Sequence, residues 1–405
     1  MNIIGIVAEY NPFHNGHALH IARVRALLGE PAPVAVVLSS AFTQRGLPAL
    51  LDKWTRARAA LLNGADLVLE LPFVYACNGG AEFAAGAVDI LAAARFVTHI
   101  SFGMESEHSP GIENIIDVLL TEPKSFKENL KINLSRGRSY SASVAEALSM
   151  EFKESEKERV LEFFSSPNNS LAVSYMTRIK KIGYGLIPVP IKRVGAGYHD
   201  KNESALAGAA SIREGFGRGD AWIENAMPAS SFEALKEAKA SGRVADADAF
   251  WALLRGILLR SKPEELKNIF GMYEGMENLF LKNVTSAKNY DDFIGRCVCA
   301  RYTRGRLQRQ AARVLVRLDR SDAGSITQSG PPYIRVLGYT AYGRQVLHEY
   351  GDGASVPIIT RLAAAQGNHG ASLAEVEFRA ARIWECLTRS PNLRSETENH
   401  VVQVV

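Results

Sequence analysis

The N-terminal part of the chain carries three histidines at intervals of three residues, His14, His17 and His20, shortly after an apolar run. If a helix begins near residue 15, His14 precedes it and His17 lies in its first turn. The backbone N–H groups there are unpaired and the helix dipole attracts anions, so two imidazoles at this end favour polyphosphate binding. A zinc site needs a third ligand, but His20 lies one turn deeper and no HExxH motif is present.

The second concentration of chemically active side chains is basic. Residues 296–320 contain eight arginines and one acidic residue. The arginines at positions 306, 309, 313 and 317 follow a helical period, and apolar residues occupy the opposite face. An arginine-rich face is typical of binding to a nucleic-acid backbone, and Tyr302 beside it offers a ring for base stacking. A solvated helix face without a partner is the alternative that this pattern leaves open.

The elements that must position these side chains follow an alternating pattern. Four apolar runs are typical of strands buried on both faces, and helical patterns separate them: residues 3–7, 34–38, 66–71 and 99–102. This alternation implies right-handed crossovers, so we expect an α/β fold with a doubly wound parallel sheet. Ligands of such sheets bind outside the carboxyl ends of the strands. The histidine segment directly follows the first strand, and it is therefore expected in the crevice.

The rest of the chain is predicted to be mainly helical, apart from a fifth strand. That strand, residues 186–194, contains two prolines, which favours an edge position. Glycines and charges cluster at residues 215–220. We therefore expect a first domain over residues 1–217, which contains the expected polyphosphate site, and a mainly helical domain over residues 218–405. The C-terminal segment is polar and then apolar, which is compatible with a frayed end or with an added strand.

Composition limits the class of protein. The 405 residues are 47% hydrophobic and 22% charged, as in globular proteins with a substantial core. The net charge of +4 suggests an anionic partner. The four cysteines lack zinc-knuckle spacing and are predicted to be reduced thiols. No stretch approaches about 18 apolar residues and no basic signal region opens the chain, so we expect a cytoplasmic protein without a membrane partner.

The motif NPFHNGH after the first strand resembles the HxGH signature of HIGH-type nucleotidyltransferases. Further segments are similar to the bacterial tRNA(Met) cytidine acetate ligase family, and they follow in order over most of the chain. These segments are GIVAEYNPFHNGHALH (5–20), FTQRGLPALLDKWTRARAAL (42–61), GADLVLELPF (64–73), ISFGMESE (100–107), SPNNSLAVSYM (166–176), IKRVGAGYHD (191–200), ASIR (210–213) and PPYIRVLGYTAYG (331–343).

The resemblance implies a Rossmann-like fold of the HIGH type and a ligase reaction. The family activates acetate with ATP, which gives acetyl-adenylate and pyrophosphate. The acetyl group then passes to N4 of the wobble cytidine of elongator tRNA(Met), forming N4-acetylcytidine. His14 and His17 are then the expected catalytic residues, acting as imidazolium donors together with an arginine and Mg²⁺. ATP, acetate and tRNA(Met) are the expected partners, DNA is not one, and the oligomeric state is left open.

The residues that match the family motifs form an expected ATP site, and the basic residues form an expected tRNA surface. Gly103 would let the adenine approach the backbone, and Arg193 would pair with a phosphate. The full ATP-binding set is Val7, Ala8, Glu9, Asn11, Phe13, His14, Gly16, His17, His20, Gly103, Asn168, Asn169, Arg193, Ser211 and Arg213. The tRNA-binding set is Arg301, Arg304, Arg306, Arg309, Arg313 and Arg317, with Lys53 and Arg56, for which pyrophosphate or surface acids are alternative partners.

Three pairs of residues complete the expected site. Asn168 or Asn169 offers an amide, which suits the base or the ribose. Ser211 and Arg213 offer a hydroxyl and a guanidinium group, which suit phosphate. Glu105 and Glu107 offer carboxylates, which suit a cation. The stretch Ala209-Ala210-Ser211 departs from the family, which has a longer Ser/Thr-rich run, and this leaves fewer hydroxyls for the phosphate.

Two other functions compete with the ligase reading. The chain is alternatively an adenylyltransferase that joins AMP to a phosphorylated small molecule in cofactor synthesis. The large basic half argues against this reading, since such an enzyme needs little beyond its nucleotide domain. A third reading is an RNA-binding protein whose nucleotide pocket is vestigial, and the intact HNGH motif argues against it.

Overall fold

The computed structural model describes residues 1–29, 31–106, 111–193 and 205–404, without the side chain of Ser325. The strands of this part of the chain are β1 (Ile4–Ala8), β2 (Val34–Ser39), β3 (Leu67–Leu71), β4 (His99–Met104), β5 (Ile187–Lys192), β6 (Ile334–Thr340), β7 (Ile358–Ile359) and β8 (Val402–Val404). The helices up to β5 are α1 (Asn15–Leu28), α2 (Lys53–Leu62), α3 (Phe73–Ala76), α4 (Gly80–Ala93), α5 (Ile112–Thr121), α6 (Lys124–Ser135), α7 (Tyr140–Ser149), α8 (Glu154–Ser165) and α9 (Pro167–Ile182). The helices after β5 are α10 (Ala209–Arg218), α11 (Ala229–Ala240), α12 (Ala247–Arg260), α13 (Pro263–Lys267), α14 (Met276–Val284), α15 (Tyr290–Cys297), α16 (Arg304–Val316), α17 (Arg320–Ser329), α18 (Ala341–Tyr350), α19 (Gly367–Glu385) and α20 (Ser395–Glu398).

The sheet has the order β5-β4-β1-β2-β3-β6-β7, and β8 pairs with β6. The first five strands are parallel, which confirms the predicted doubly wound sheet. From β1 the chain proceeds through β2 and β3 to one side, whereas β4 and β5 lie on the other side. The order therefore reverses between β1 and β4, and a crevice opens there at the carboxyl ends of the strands.

Helices cover both faces of the sheet, which accounts for the continuous apolar character of the central strands. On one face, α1 and α2 pack with Ile21 and Trp54 against the strands. On the other face, α4 and α9 do so with Ala87 and Val173. Asp52 is the N-cap of α2, and its side chain accepts a hydrogen bond from the N–H of Thr55 at 2.9 Å. No helix in the described ranges is long and apolar enough to cross a membrane.

The second half of the chain is mainly helical, but it also extends the sheet. β6 lies antiparallel beside β3, and the C-terminal strand β8 lies parallel to β6, so the tail is an added strand rather than a frayed end. The largest cluster of buried apolar side chains includes Ala87 on α4, Phe250 on α12 and Leu307 on α16. Residues on both sides of the predicted boundary at 217/218 therefore share one core, and the boundary itself stays a prediction.

Candidate functional site

Two histidine rings stand side by side where β1 leads into α1. His14 is the N-cap of α1, and its Nδ1 accepts a hydrogen bond from the N–H of Gly16 at 3.1 Å. His17 Nδ1 accepts from the N–H of His14 at 3.2 Å, and the two ring centroids are 3.7 Å apart. Because Nδ1 is the acceptor in both rings, the neutral tautomer carries its proton on Nε2. The pair therefore offers two Nε2–H donors at the N-terminus of a helix.

Burial keeps these imidazoles neutral. It lowers the pKa of His14 to about 3, and the charges of Arg193 and Arg213 add to the effect. Burial also lowers the pKa of His17 well below its usual value, with further contributions from His14 and Arg193. These pKa shifts therefore favour neutral rings over the imidazolium donors that the resemblance implies. Near pH 7 the rings are neutral hydrogen-bond donors, and positive charge comes from the neighbouring arginines.

Aromatic rings and a serine hold the histidines from behind. The ring of Tyr10 meets His17 edge-on at 4.7 Å, and the buried Phe13 ring lies 5.5 Å from it. His20 Nε2 lies 2.8 Å from the hydroxyl of Ser101 on β4. Phe13 and His20 thus support the pair from within the predicted ATP set. Tyr10 and Ser101 were missed, although a polar residue inside an otherwise apolar strand was a usable signal for Ser101.

Arg193 crosses the end of β4, opposite the histidines. Its backbone N–H donates to the carbonyl of Met104 at 2.8 Å. A Cβ placed on Gly103 would lie 2.9 Å from Cγ of Arg193, so the absence of a side chain there makes room for the arginine stem. The sequence analysis assigned the space at Gly103 to adenine. In this structure the side chain of Arg193, which is itself predicted to pair with a phosphate, passes through that space.

The two asparagines that follow α8 have different surroundings. Asn169 is buried; its oxygen accepts from the N–H of Glu105 at 3.0 Å, and its amide nitrogen donates to the carbonyl of Phe163 at 3.1 Å. Its polar atoms therefore hold the loop after β4, and its predicted contact with base or ribose is replaced by this positioning role. Asn168 donates to Oε1 of Glu105 at 2.7 Å and lies nearer the crevice.

The start of α10 joins the histidine segment, as the predicted second phosphate element requires. Ser211 is the third residue of α10, and Arg213 Nη1 donates to the carbonyl of Asn11 at 2.6 Å. From the other side, Asn15 Nδ2 donates to two backbone carbonyls, that of Ala205 at 3.0 Å and that of Asn225 at 2.8 Å. These bonds hold the N-terminus of α10 beside that of α1, so Ser211 and Arg213 lie near the histidine pair.

The loop after β2 connects the crevice to the arginine-rich helix. Val7 and Ala8 end β1, and the next residue, Glu9, accepts from the N–H of Gln44 at 2.7 Å. Two residues further, a Cβ on Gly46 would lie 2.4 Å from the backbone of Arg309 on α16. The same loop therefore contacts both the end of β1 and the helix predicted to bind RNA.

Five of the predicted tRNA contacts keep solvent-accessible side chains. Arg301, Arg304 and Arg317 are exposed, whereas Arg306 and Arg309 are half-buried. Arg304 pairs with Asp291, and the Arg306 guanidinium lies 5.1 Å from the centre of the Tyr302 ring. Tyr302 itself is buried and donates its hydroxyl proton to the carbonyl of Glu274 at 2.7 Å. It is therefore not available for the base stacking that the sequence suggested.

Three predicted tRNA contacts are wrong because their charged groups are enclosed. Arg313 is 7% exposed and donates to Oδ1 of Asn78 at 2.8 Å. Lys53 is 4% exposed and forms ion pairs with Glu70 and Glu396. Arg56 is also buried, and its guanidinium donates to four backbone carbonyls at the ends of β1 and β2 and in the loop before α2, those of Glu9, Ser39, Ser40 and Leu51.

The described part of the site offers few of the side chains that bind metal ions. Among the residues with described positions, no group of three or more His, Cys, Asp or Glu side chains has the geometry of a metal site. Glu105 offers a carboxylate at the end of β4, with one oxygen oriented by Asn168. Glu107, its predicted companion, lies outside the described residues.

Comparison with known proteins places the chain in a family. Residues 1–399 match the family model described as HIGH Nucleotidyl Transferase. A tRNA(Met) cytidine acetate ligase of Caldicellulosiruptor saccharolyticus is 37% identical over 390 residues, covering 95% of this chain and 93% of that protein. A protein of the same name from Clostridium perfringens is 34% identical over 406 residues, covering 98% of each chain.

Solved structures support the same relationship. The apo crystal structure of Thermotoga maritima TmcAL superposes with a TM-score of 0.93 at 29% identity and covers 100% of both chains. A second crystal structure of that protein, bound to alpha-thio ATP, superposes with a TM-score of 0.90 and covers 100% of this chain and 99% of the other. The relatives therefore share the whole architecture, including the C-terminal half.

Proposed function

Because the chain belongs to the HIGH nucleotidyl transferase family, we propose that it is an ATP-dependent ligase that activates acetate and acetylates tRNA(Met). The product is N4-acetylcytidine at the wobble position of the elongator tRNA. The observation that carries this proposal is the pair of Nε2–H donors of His14 and His17, fixed by backbone hydrogen bonds at the N-terminus of α1. The names of the relatives support the substrates, and alpha-thio ATP bound to the Thermotoga protein supports the nucleotide.

In the first step, a carboxylate oxygen of acetate attacks the α-phosphorus of ATP. The bond from that phosphorus to the bridging oxygen breaks, and pyrophosphate leaves with the electron pair. Acetate and triphosphate are both anions, so the transition state needs stabilisation of its phosphate oxygens. His14 and His17 donate hydrogen bonds to these oxygens, while Arg193 and Arg213 supply the positive charge that the neutral imidazoles lack.

In the second step, N4 of the cytidine attacks the carbonyl carbon of acetyl-adenylate. The bond from that carbon to the phosphate oxygen breaks, AMP leaves, and the nitrogen loses one proton. The RNA is a polyanion, and it must reach the crevice that holds the adenylate. Arg306 and Arg309 lie on the helix that contacts the loop after β2, so they suit the RNA chain entering this crevice. Arg301, Arg304 and Arg317 extend the same surface.

Mg²⁺ fits this site as a companion of the triphosphate. The ion usually takes one or two protein carboxylates and completes its shell with phosphate oxygens and water. Glu105 provides such a carboxylate at the crevice, and the amide of Asn168 orients it. When bound, Mg²⁺ supplies neutralisation of the phosphate charge. We place this reaction in the cytoplasm, where ATP and tRNA occur together.

The adenylyltransferase alternative is less well supported. The whole chain, including the C-terminal half, matches proteins named as tRNA-acting ligases. An enzyme that only joins AMP to a small metabolite does not need a row of solvent-accessible arginines along α16. The vestigial-pocket alternative is also disfavoured, because the two histidines retain defined donor geometry.

An isotope-transfer assay tests the proposal. Purified protein is incubated with labelled acetate and an elongator tRNA(Met) transcript, with and without ATP. We expect ATP-dependent label in the RNA, and pyrophosphate release. The variant His14→Asn keeps a side-chain acceptor for the helix cap but lacks the Nε2–H donor. We expect it to form acetyl-adenylate about 10²–10³-fold more slowly, the typical loss for one such donor, with tRNA affinity within about twofold.

His348→Asn on the exposed surface of α18 is the matched control and is expected to behave as the parent protein. Equal loss of adenylate formation and of tRNA affinity in His14→Asn would mean that the ring is only structural. ATP turnover that ignores acetate and requires a phosphorylated metabolite would establish the adenylyltransferase alternative. RNA binding without any ATP turnover would establish the third reading.

A further inference from the structure

The hairpin of α6 and α7 is a second basic surface, separate from the arginines of α16. Residues 124–140 contain five basic residues and one acidic residue. Phe126 and Asn133 face the interior, whereas Lys131, Arg136 and Arg138 are exposed at the tip. Within the described ranges, neither Lys131 nor Arg136 is held by an acidic side chain, and Arg138 pairs with Glu146 at 2.5 Å. The tip therefore presents cations to solvent.

This tip touches the segment that leads into the arginine-rich helix. A Cβ placed on Gly137 would lie 3.7 Å from the Cβ of Ala300. Gly137 lies between Arg136 and Arg138, and Ala300 directly precedes Arg301. The exposed guanidinium groups of the hairpin and of the α16 segment therefore border each other, although about 160 residues separate them in the chain.

An aromatic ring stands at the same place. Tyr140 begins α7 and is 67% exposed, which is unusual for a large aromatic side chain. Partial desolvation raises the pKa of Tyr140, and the carboxylate of Glu82 adds to the rise. Tyr140 follows Gly137 by three residues, so its exposed ring lies next to the tip of the hairpin, where the hairpin contacts Ala300.

We propose that the RNA-binding surface extends from α16 across the α6–α7 hairpin, where Arg136 and Arg138 contact phosphates and Tyr140 stacks on an unpaired base of the tRNA. This inference rests on the proposed function and adds a surface to it. Exposed arginines beside an exposed aromatic ring suit single-stranded loop RNA, because the cations follow the backbone while the ring accepts a base. Tyr140 takes the role that Tyr302, buried beneath Arg306, does not have.

The test measures tRNA binding against salt concentration in the full-length protein. For Arg136→Gln combined with Arg138→Gln, we expect about tenfold weaker binding of the elongator tRNA(Met) transcript and a salt slope shallower by about 1–2, as for two lost phosphate contacts. For Tyr140→Ala we expect about tenfold weaker binding, whereas Tyr140→Phe retains the ring and binds nearly as the parent does. Acetyl-adenylate formation without tRNA should be unchanged in all three variants.

Arg344→Gln and Tyr350→Ala are matched controls, because α18 carries both and begins beside Met1, at the amino end of β1, away from the crevice. The inference would be overturned if the hairpin variants have tRNA affinities within twofold of the parent's while the double variant Arg306→Gln, Arg309→Gln binds tRNA poorly. That outcome would leave the proposed function intact. Equal weakening by Tyr140→Phe and Tyr140→Ala would overturn the stacking role. A parent protein that neither binds tRNA nor forms acetyl-adenylate would overturn the proposed function, and this inference with it.

Discussion

At the residue scale, the spacing of His14 and His17 has two consequences at once. Three residues separate an N-cap from position N3, and here each side chain accepts from the backbone in the manner of a capping box. The capping bonds fix Nδ1 as acceptor and leave Nε2–H for a ligand. A Cβ on Gly16 would lie 2.9 Å from Cε1 of His14, so glycine between the two rings preserves this geometry. Helix capping therefore uses Nδ1 of both rings, and the proposed phosphate contacts use the opposite nitrogen, Nε2.

The buried histidines make stability depend on pH. Burial, with Arg193, lowers the pKa of His20 to about 4, whereas its unfolded value is near 6.5. Between these pH values the unfolded state binds more protons than the folded state. The contribution of His20 to the free energy of unfolding is therefore complete above pH 6.5 and is lost as the pH falls toward 4. We expect the free energy of unfolding to drop from pH 7 to pH 5 by about 1–2 kcal/mol more in the parent than in His20→Gln.

Urea denaturation at the two pH values measures this difference. The glutamine amide retains a hydrogen-bonding partner for Ser101, so the variant is expected to remain folded at pH 7. His348→Asn, on the exposed surface of α18, is the control substitution. An identical decline in parent and His20→Gln would show that His20 titrates normally in the folded protein.

At the element scale, the loop after β2 links the nucleotide crevice to α16. In this loop, the N–H of Gln44 donates to the carboxylate of Glu9, and Gly46 packs against the backbone of Arg309. Gly46 has φ of +78°, a conformation that glycine adopts without strain. The close approach of two backbones therefore depends on a residue without a side chain, and the position of Arg309 depends on that approach.

Gly46→Ala should accordingly be more damaging than replacement of a glycine that has a similar φ but open space around it. Gly29 has φ of +84° and open space around its missing Cβ, so Gly29→Ala measures the backbone cost alone. We expect Gly46→Ala to lower the free energy of unfolding by about 1–3 kcal/mol more than Gly29→Ala, because the methyl group must displace α16. Urea unfolding and acetyl transfer to tRNA are the measurements. Equal effects in the two variants would contradict a packed junction.

At the scale of the whole molecule, a buried ionic network joins the two ends of the chain. Lys53 on α2 pairs with Glu396 at 2.6 Å, and Arg335 on β6 pairs with Glu396 at 2.7 Å. Glu70 on β3 contacts both cations, with a separation of 3.2 Å from Arg335. The paired charges compensate for their loss of hydration, and they bind the C-terminal segment to the sheet that carries the crevice.

Removal of one member should destabilise the whole fold. Glu396→Ala leaves Lys53 and Arg335 buried with one carboxylate between them, and we expect a loss of about 3–5 kcal/mol in the free energy of unfolding. Glu398→Ala, on the same short helix but exposed, should change it by no more than about 0.5 kcal/mol. Chemical denaturation with single-transition analysis provides the comparison. Similar small effects in both variants would show that the network contributes little.

Local spacing in the sequence was sufficient to predict part of the fold and of the candidate site. The five parallel strands, the helix start after His14 and the placement of His14 and His17 at that start were predictable, because each depends on side chains within one turn or one strand. The apolar runs had to be covered on both faces, and this required a doubly wound sheet. The basic character of residues 296–320 was equally visible, since charge is a property of composition.

The tertiary structure alone decided which charges are available and which strands join the sheet. Arg306 and Arg313 lie seven residues apart on one helix, yet one is half-buried beside Tyr302 and the other is enclosed against Asn78. β6 lies beside β3, a strand far earlier in the chain, and the bond from Arg335 to Glu70 spans 265 residues. Burial depends on what packs against a surface from elsewhere in the chain, and helical periodicity contains no information about that packing.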